Sequence, residues 1–238
     1  MTECGVSYSQ PTTEDLKRKS EASRKNAEKK GKVLEPVVIS DRDIAKSWWG
    51  KAWCDNLERY ADYDSRLERG KRYVRTGAVI DLKIAKGKVL AKVQGSRKTP
   101  YKVEIRISPL SEERCQEILA ACGRRVENLE KLLTGDFPEE LKELFTQRNG
   151  LFPDSREISF SCSCPDWALM CKHVAAALFG VGARLDTAPS LFFTLRGIEM
   201  ERFIDVAIAN RVELMLKNAA RKSNRMIDGG EVRGLFGI

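Results

Sequence analysis

Three of the chain's seven cysteines and its only histidine fall within a dozen residues, as Cys162, Cys164, Cys171 and His173 in the pattern C-x-C-x6-C-x-H. No other feature restricts the local fold so tightly, because four soft N/S donors this close in sequence converge on one point only in a few backbone shapes. Ile158, Phe160, Cys162 and Cys164 occupy alternate positions, separated by Ser159, Ser161 and Ser163. On a strand all four point to one face, so both thiols aim the same way beyond an apolar anchor. Pro165 and Asp166 then turn the chain, and "KHVAAALFG" reads as a helix ending at glycine. Residues i and i+2 do not share a helix face, which places Cys171 just before that helix and His173 in its first turn. The set suits one tetrahedral zinc ion with all four positions filled by protein, a closed site that contributes to folding and leaves no place for an activated water. Asp166 could accept from the second ring nitrogen of His173, or simply form the turn. The competing reading is that these are ordinary core thiols. The remaining cysteines, Cys4, Cys54, Cys115 and Cys122, are scattered; Cys115 and Cys122 share a helical face with Leu119 and read as small core residues.

Clustered cysteines bind metal more often than they form disulfides where thiols stay reduced. The N-terminal stretch "MTECGVSYSQPTTEDLKRKSEASRKNAEKKGK" has no apolar core of a secretory signal. No apolar run approaches the roughly 20 residues of a membrane span. The expectation is a soluble, cytoplasmic protein with no membrane partner.

Charge is unevenly placed. The whole chain carries +8, yet residues 66–106 hold 13 Lys/Arg against Glu68, Asp81 and Glu104, or +10. Residues 111–147 run the other way, nine acidic against five basic. The basic block suits a polyanion such as nucleic acid, or an ordinary solvated face; composition does not separate the two. Within it, Ile80, Leu82 and Ile84, then Val89, Ala91 and Val93, then Val103, Ile105 and Ile107 alternate with mostly polar neighbours. That period predicts a three-stranded antiparallel meander with one apolar and one largely cationic face. "ERGKRYVRTG" and "QGSRKTPY" read as glycine-bearing loops that carry Arg69, Lys71, Arg72, Arg75, Arg97 and Lys98, the candidate nucleic-acid contacts.

Elsewhere, residues 1–38 lack apolar period and read as a disordered basic tail. "SWWGKAWCDNLERY" places Trp49, Trp53 and Leu57 on one helical face and reads as a core-docking helix, with base stacking by Trp48 as the lesser alternative. A helix follows from Ser111, "FPEELKELF" is a short one, and residues 198 to about 225 form another with a basic stripe at Lys217, Arg221 and Arg225.

The ligand pattern, with "SFSCSCPDWALMCKHVAAALFGVGARLD" and "LFFTLRG" after it, resembles the SWIM zinc finger of prokaryotic proteins; "WWGKAW", "RLERGKRYVRTGAV" and "VQGSRKTPYKVEI" resemble the region that accompanies it. The likeness covers residues 48–197. It implies one structural zinc and a module that contacts DNA or proteins, in some members linked to Snf-type helicases or recombination. The expected architecture is α+β: a basic antiparallel β-meander with helices, a small ββα-like zinc module and C-terminal helices. The segments are the tail (1–38), the β domain with its Trp-rich helix (39–110), a helical linker (111–150), the finger (151–197) and a C-terminal helical segment (198–238). The expected function is nucleic-acid binding, DNA ahead of RNA, through the basic sheet and loops, or docking as an adaptor on a Snf-type helicase or another DNA-processing partner. The lone histidine lies in the ligand set, and neither G-x-x-x-x-G-K-[ST] nor a two-metal carboxylate cluster stands out. No enzymatic activity is expected.

Overall fold

The alternation of Ile, Leu and Val seen in the sequence produces a sheet larger than the meander expected from it. In the computed structural model, which describes residues 11–125, 142–147 and 150–219, β1 (Val79–Ala85), β2 (Lys88–Val93), β3 (Tyr101–Ile107) and β4 (Ile158–Cys162) form one antiparallel sheet in that order. Gly87, at φ 63°, closes the two-residue turn between β1 and β2, a conformation that costs glycine little. The fourth strand is the ligand-bearing segment. It pairs with β3 from Ile107↔Ile158 to Val103↔Cys162, so the strand that carries Cys162 is part of the main sheet. Helices and a four-stranded antiparallel sheet make the fold α+β.

The apolar sheet face lies under α6 (Lys172–Thr187), whose residues Val174 to Val181 are all buried. Helix α3 (Asp64–Arg75) crosses α6 on its far side. A Cβ at Gly70 would lie 2.6 Å from the Ala175 Cβ, so the crossing requires glycine. The segment read as a glycine-bearing loop is therefore a helix: Leu67, Gly70, Tyr73 and Val74 form its buried face, and Gly70 serves close approach, not a turn. Gly77, at φ 70°, follows its C-terminus. The Trp-rich helix α2 (Trp48–Asn56) docks on α6 as expected. Trp53 is buried and donates from Nε1 to the Leu178 carbonyl at 3.0 Å. Trp48 stands edge-on to Trp49 and Phe145 and is not a free stacking surface.

The described part of the expected disordered tail is ordered. Thr12 caps α1 (Thr13–Glu28) by accepting from the Asp15 amide, and Leu16 and Ser20 are fully buried. Ser23 donates to the Gln94 side chain at 2.7 Å, and Lys19 donates to the Ser96 carbonyl. Residues 35–37 then run along the outer edge of β1, with Val37 donating to Val79 and Leu82 to Glu35. A local pattern with one buried leucine gives no helical period; partners some 70 residues away supply the stabilisation, and the segment covers a sheet edge that would otherwise be unpaired.

The helix expected after Ser111 is α4 (Glu112–Arg125), with Cys115 and Leu119 buried; the Cys122 side chain lies outside the described residues. Short α5 (Lys142–Thr146) and α7 (Leu191–Leu195) precede α8 (Met200–Ala219). Of the expected basic stripe, Lys217 pairs with Glu213, and Arg221 and Arg225 lie outside the described residues. Among the described residues, no helix is long and apolar enough to cross a membrane.

Candidate metal centre

Strand β4 delivers its side chains alternately, with Ile158 buried, Phe160 and Cys162 half-buried, and Ser159 and Ser161 exposed. Pairing continues past its end, because Ser163 donates to the Lys102 carbonyl at 3.0 Å while its hydroxyl accepts from the Lys102 amide at 2.9 Å. Cys164 is thereby held on the same side as Cys162. The next loop is fixed from α3 and the residues just before it. Arg66 bonds Asp166 at 3.1 Å in a largely buried ion pair, and Asp62 accepts from the amides of Leu169 and Met170 at 2.9 and 3.3 Å. Cys171 then caps α6 with extended backbone, φ −74° and ψ 163°, and His173 sits in the first turn, the placement inferred from the i, i+2 spacing.

The donor atoms of Cys162, Cys164, Cys171 and His173 all lie within 4.8 Å of one another. His173 Nδ1 is 3.9 Å from the sulfurs of both Cys162 and Cys171. A tetrahedral ion with metal–sulfur bonds of about 2.3 Å needs sulfur–sulfur edges of roughly 3.8 Å, so the group fits a metal ion after a slight contraction. Burial holds the His173 pKa below its ordinary value, keeping the imidazole neutral as ligation requires. Hydrogen bonds from the Cys162 and Cys171 thiols pull the Cys164 pKa down, and the reciprocal bond pushes that of Cys162 up. A bound cation would displace the thiol protons.

Aromatic rings fix the histidine. Tyr101 stacks on it with centroids 4.2 Å apart, and Tyr73 meets it edge-on at 5.5 Å. A Cβ on Gly95 would lie 2.6 Å from the Tyr101 ring and 2.9 Å from His173 Nε2. That buried nitrogen has no hydrogen-bond partner among the described residues. Asp166 is engaged by Arg66 and by the Ala168 amide, at 3.1 and 3.4 Å, and no bond joins it to that nitrogen.

The six candidate nucleic-acid contacts separate. The Arg72 guanidinium lies over Tyr73 at 5.9 Å and Arg97 over Tyr101 at 5.4 Å. Burial raises the Tyr73 hydroxyl pKa to about 12, opposed by the nearby charges of Arg72 and Arg69. Arg72 and Arg97 thus lie on the tyrosines that hold His173, and Arg69 stands three residues before Arg72 on α3. Lys71 points elsewhere, 2.8 Å from Glu68 and 5.8 Å from the Phe179 ring centre. Arg75 and Lys98 are exposed. On the open sheet face, Lys92 pairs with Asp81 at 2.5 Å, Lys88 and Arg106 with Glu104, and Lys83 with Glu35. No ion pair engages Lys102 among the described residues.

Sequence reasoning passed over the fourth tryptophan. Trp167, between the second and third ligands, is 81% exposed, and Leu169 is 69% exposed. Their alternation with buried Ala168 and Met170 was available in the spacer "DWALM", where a six-residue span between ligands leaves little room to bury an indole.

No protein-family model matches the chain, and no solved structure matches it. It is similar to an uncharacterized protein of Mycobacterium tuberculosis, Rv2102, with 35% identity over 172 residues, 71% of this chain. The match spans 62% of that protein's length.

Proposed function

We propose that this is a non-enzymatic zinc protein of the SWIM type that binds nucleic acid, DNA ahead of RNA, with the zinc serving the fold. Three cysteine sulfurs and one imidazole form a soft donor set that favours zinc among common divalent ions. All four coordination positions would be filled by Cys162, Cys164, Cys171 and His173, so the ion would act as a clamp between β4 and α6 and activate no water. The observation that carries the nucleic-acid reading is the placement of Arg72 over Tyr73 and Arg97 over Tyr101, the rings against His173, with Arg69 three residues before Arg72 on α3. Guanidinium groups on aromatic faces present planar donors suited to phosphate oxygens. The cations of α3 and the β2–β3 loop near His173 contribute to this reading more than the sheet does, since most sheet cations already face carboxylates.

The test is metal analysis of protein purified without added zinc, with DNA and RNA binding followed across a salt series. One zinc per chain and an affinity that falls steeply with salt are expected. Affinity indifferent to salt would defeat the reading.

A second reading, an adaptor for a Snf-type helicase or another DNA-processing protein, is favoured by α8. Ile208, Val212, Met215 and Leu216 are each about half exposed or more and recur at helical spacing on one side, a pattern suited to a protein partner. Capture of one partner that survives nuclease treatment would support it.

A further inference from the structure

We infer that the nucleic acid is bound as a single strand, with an unpaired base stacked on Trp167; this rests on the nucleic-acid reading above. Trp167 is the most exposed of the described tryptophans, with 81% of its surface open, while Trp53 is buried and Trp48 and Trp49 are partly buried. Its position is built rather than incidental. The loop alternates, with Ala168 and Met170 anchored inward and Trp167 and Leu169 directed outward. Asp62 holds two of its amides, Arg66 holds Asp166, and the Tyr63 ring meets the indole edge-on at 5.9 Å. Tyr63 is itself 45% exposed, so the three side chains form an apolar projection on a fixed backbone.

Cations lead away from this projection. Arg69 and Arg72 follow at a step of three along α3, about 4.5 Å of rise, after Arg66, whose charge is taken up by Asp166. The series ends at the tyrosines beside His173, where Arg97 joins from the β2–β3 loop. Two carboxylates of this region, Asp62 and Asp166, are taken up by backbone amides and by Arg66. An exposed aromatic followed by a line of arginines matches what an unpaired strand offers, a π-face from the base and then successive phosphates. A closed duplex hides its base faces and could use only the arginines.

The experiment uses full-length, zinc-loaded protein with oligo(dT), which cannot pair with itself, and a duplex of the same length. Wild type, Trp167→Ala and Trp167→Phe are compared by affinity and intrinsic fluorescence, after metal analysis and circular dichroism show that fold and zinc are retained. The expected result is about a tenfold or larger loss of oligo(dT) affinity in Trp167→Ala, with duplex affinity unchanged. Oligo(dT) should quench wild-type fluorescence, and in Trp167→Phe the quench should disappear while most affinity remains. Equal losses on both ligands, or no loss on either, would overturn the inference while leaving salt-dependent nucleic-acid binding intact; the second result would assign the projection to an apolar protein surface. If wild type binds neither ligand at low salt, the nucleic-acid reading falls and takes this inference with it.

Discussion

The open face of the sheet and the surface around the metal centre are both rich in cations, yet the two use them differently. On the sheet, Lys83, Lys88, Lys92 and Arg106 each face a carboxylate, and Asp81, only 5% exposed, also accepts from the Glu35 amide. These lysines balance local charge. Around His173, Arg72 and Arg97 lie on tyrosine rings. Formal charge counted along the chain assigns both regions to one basic block. The difference between them comes from cross-strand pairing, which sets Lys92 opposite Lys102 and beside Asp81, and from the packing of Tyr73 and Tyr101 around His173. Field strength at a surface is decided by partners, and partners are decided by the fold.

The sharpest separation should come from the ligands. His173→Ala or Cys171→Ser is expected to abolish metal binding and lower the melting temperature by about 10 °C or more, because structural zinc contributes several kcal/mol to folding and each kcal/mol shifts a domain of this size by about 2–4 °C. Metal analysis with thermal circular dichroism checks it; an unchanged melting curve after chelation would remove the metal from the fold. Next in size is Gly95→Ala. Its methyl group would press on Tyr101 and His173, and such overpacking costs about 1–3 kcal/mol. Denaturant unfolding should show that loss, together with weaker metal retention. Glycine kept here only for loop flexibility would accept alanine at little cost.

Much of the site could be read from the sequence because its determinants are local. The alternation of Ile158, Phe160, Cys162 and Cys164 fixes a strand face, and the i, i+2 spacing of Cys171 and His173 forces one of them to cap the helix. What escaped reading depends on distant partners. Gly70 looks like a turn residue until Ala175 is placed against it. Helix α1 has one buried leucine and takes its hydrogen bonds from residues 94 and 96. The junction of β3 with β4 joins segments about 50 residues apart, and no periodicity within either strand announces its neighbour. The core under α6 was legible as apolar pattern; which helices cover it was not.

The contrast between the two basic surfaces can be broken by matched substitutions. Arg72→Ala combined with Arg97→Ala should weaken single-strand binding about tenfold at low salt and reduce the slope of log affinity against log salt by about 1.4, since each phosphate contact on a single strand contributes roughly 0.7. Removing a cation from the sheet should do far less, and Lys102→Ala is the decisive choice. Lys102 has no ion pair among the described residues, it stands opposite Lys92, and it borders a shallow hollow of about 440 Å³ on the open face. It is thus the sheet cation best placed to meet a phosphate. Removing it also relieves repulsion between like charges on neighbouring strands, so stability should hold or rise slightly. A change in affinity below about twofold, measured in the same salt series, would keep the polyanion at the metal side. A loss equal to that of Arg97→Ala would mean that the open sheet face also meets phosphates, and that the strand runs across both surfaces.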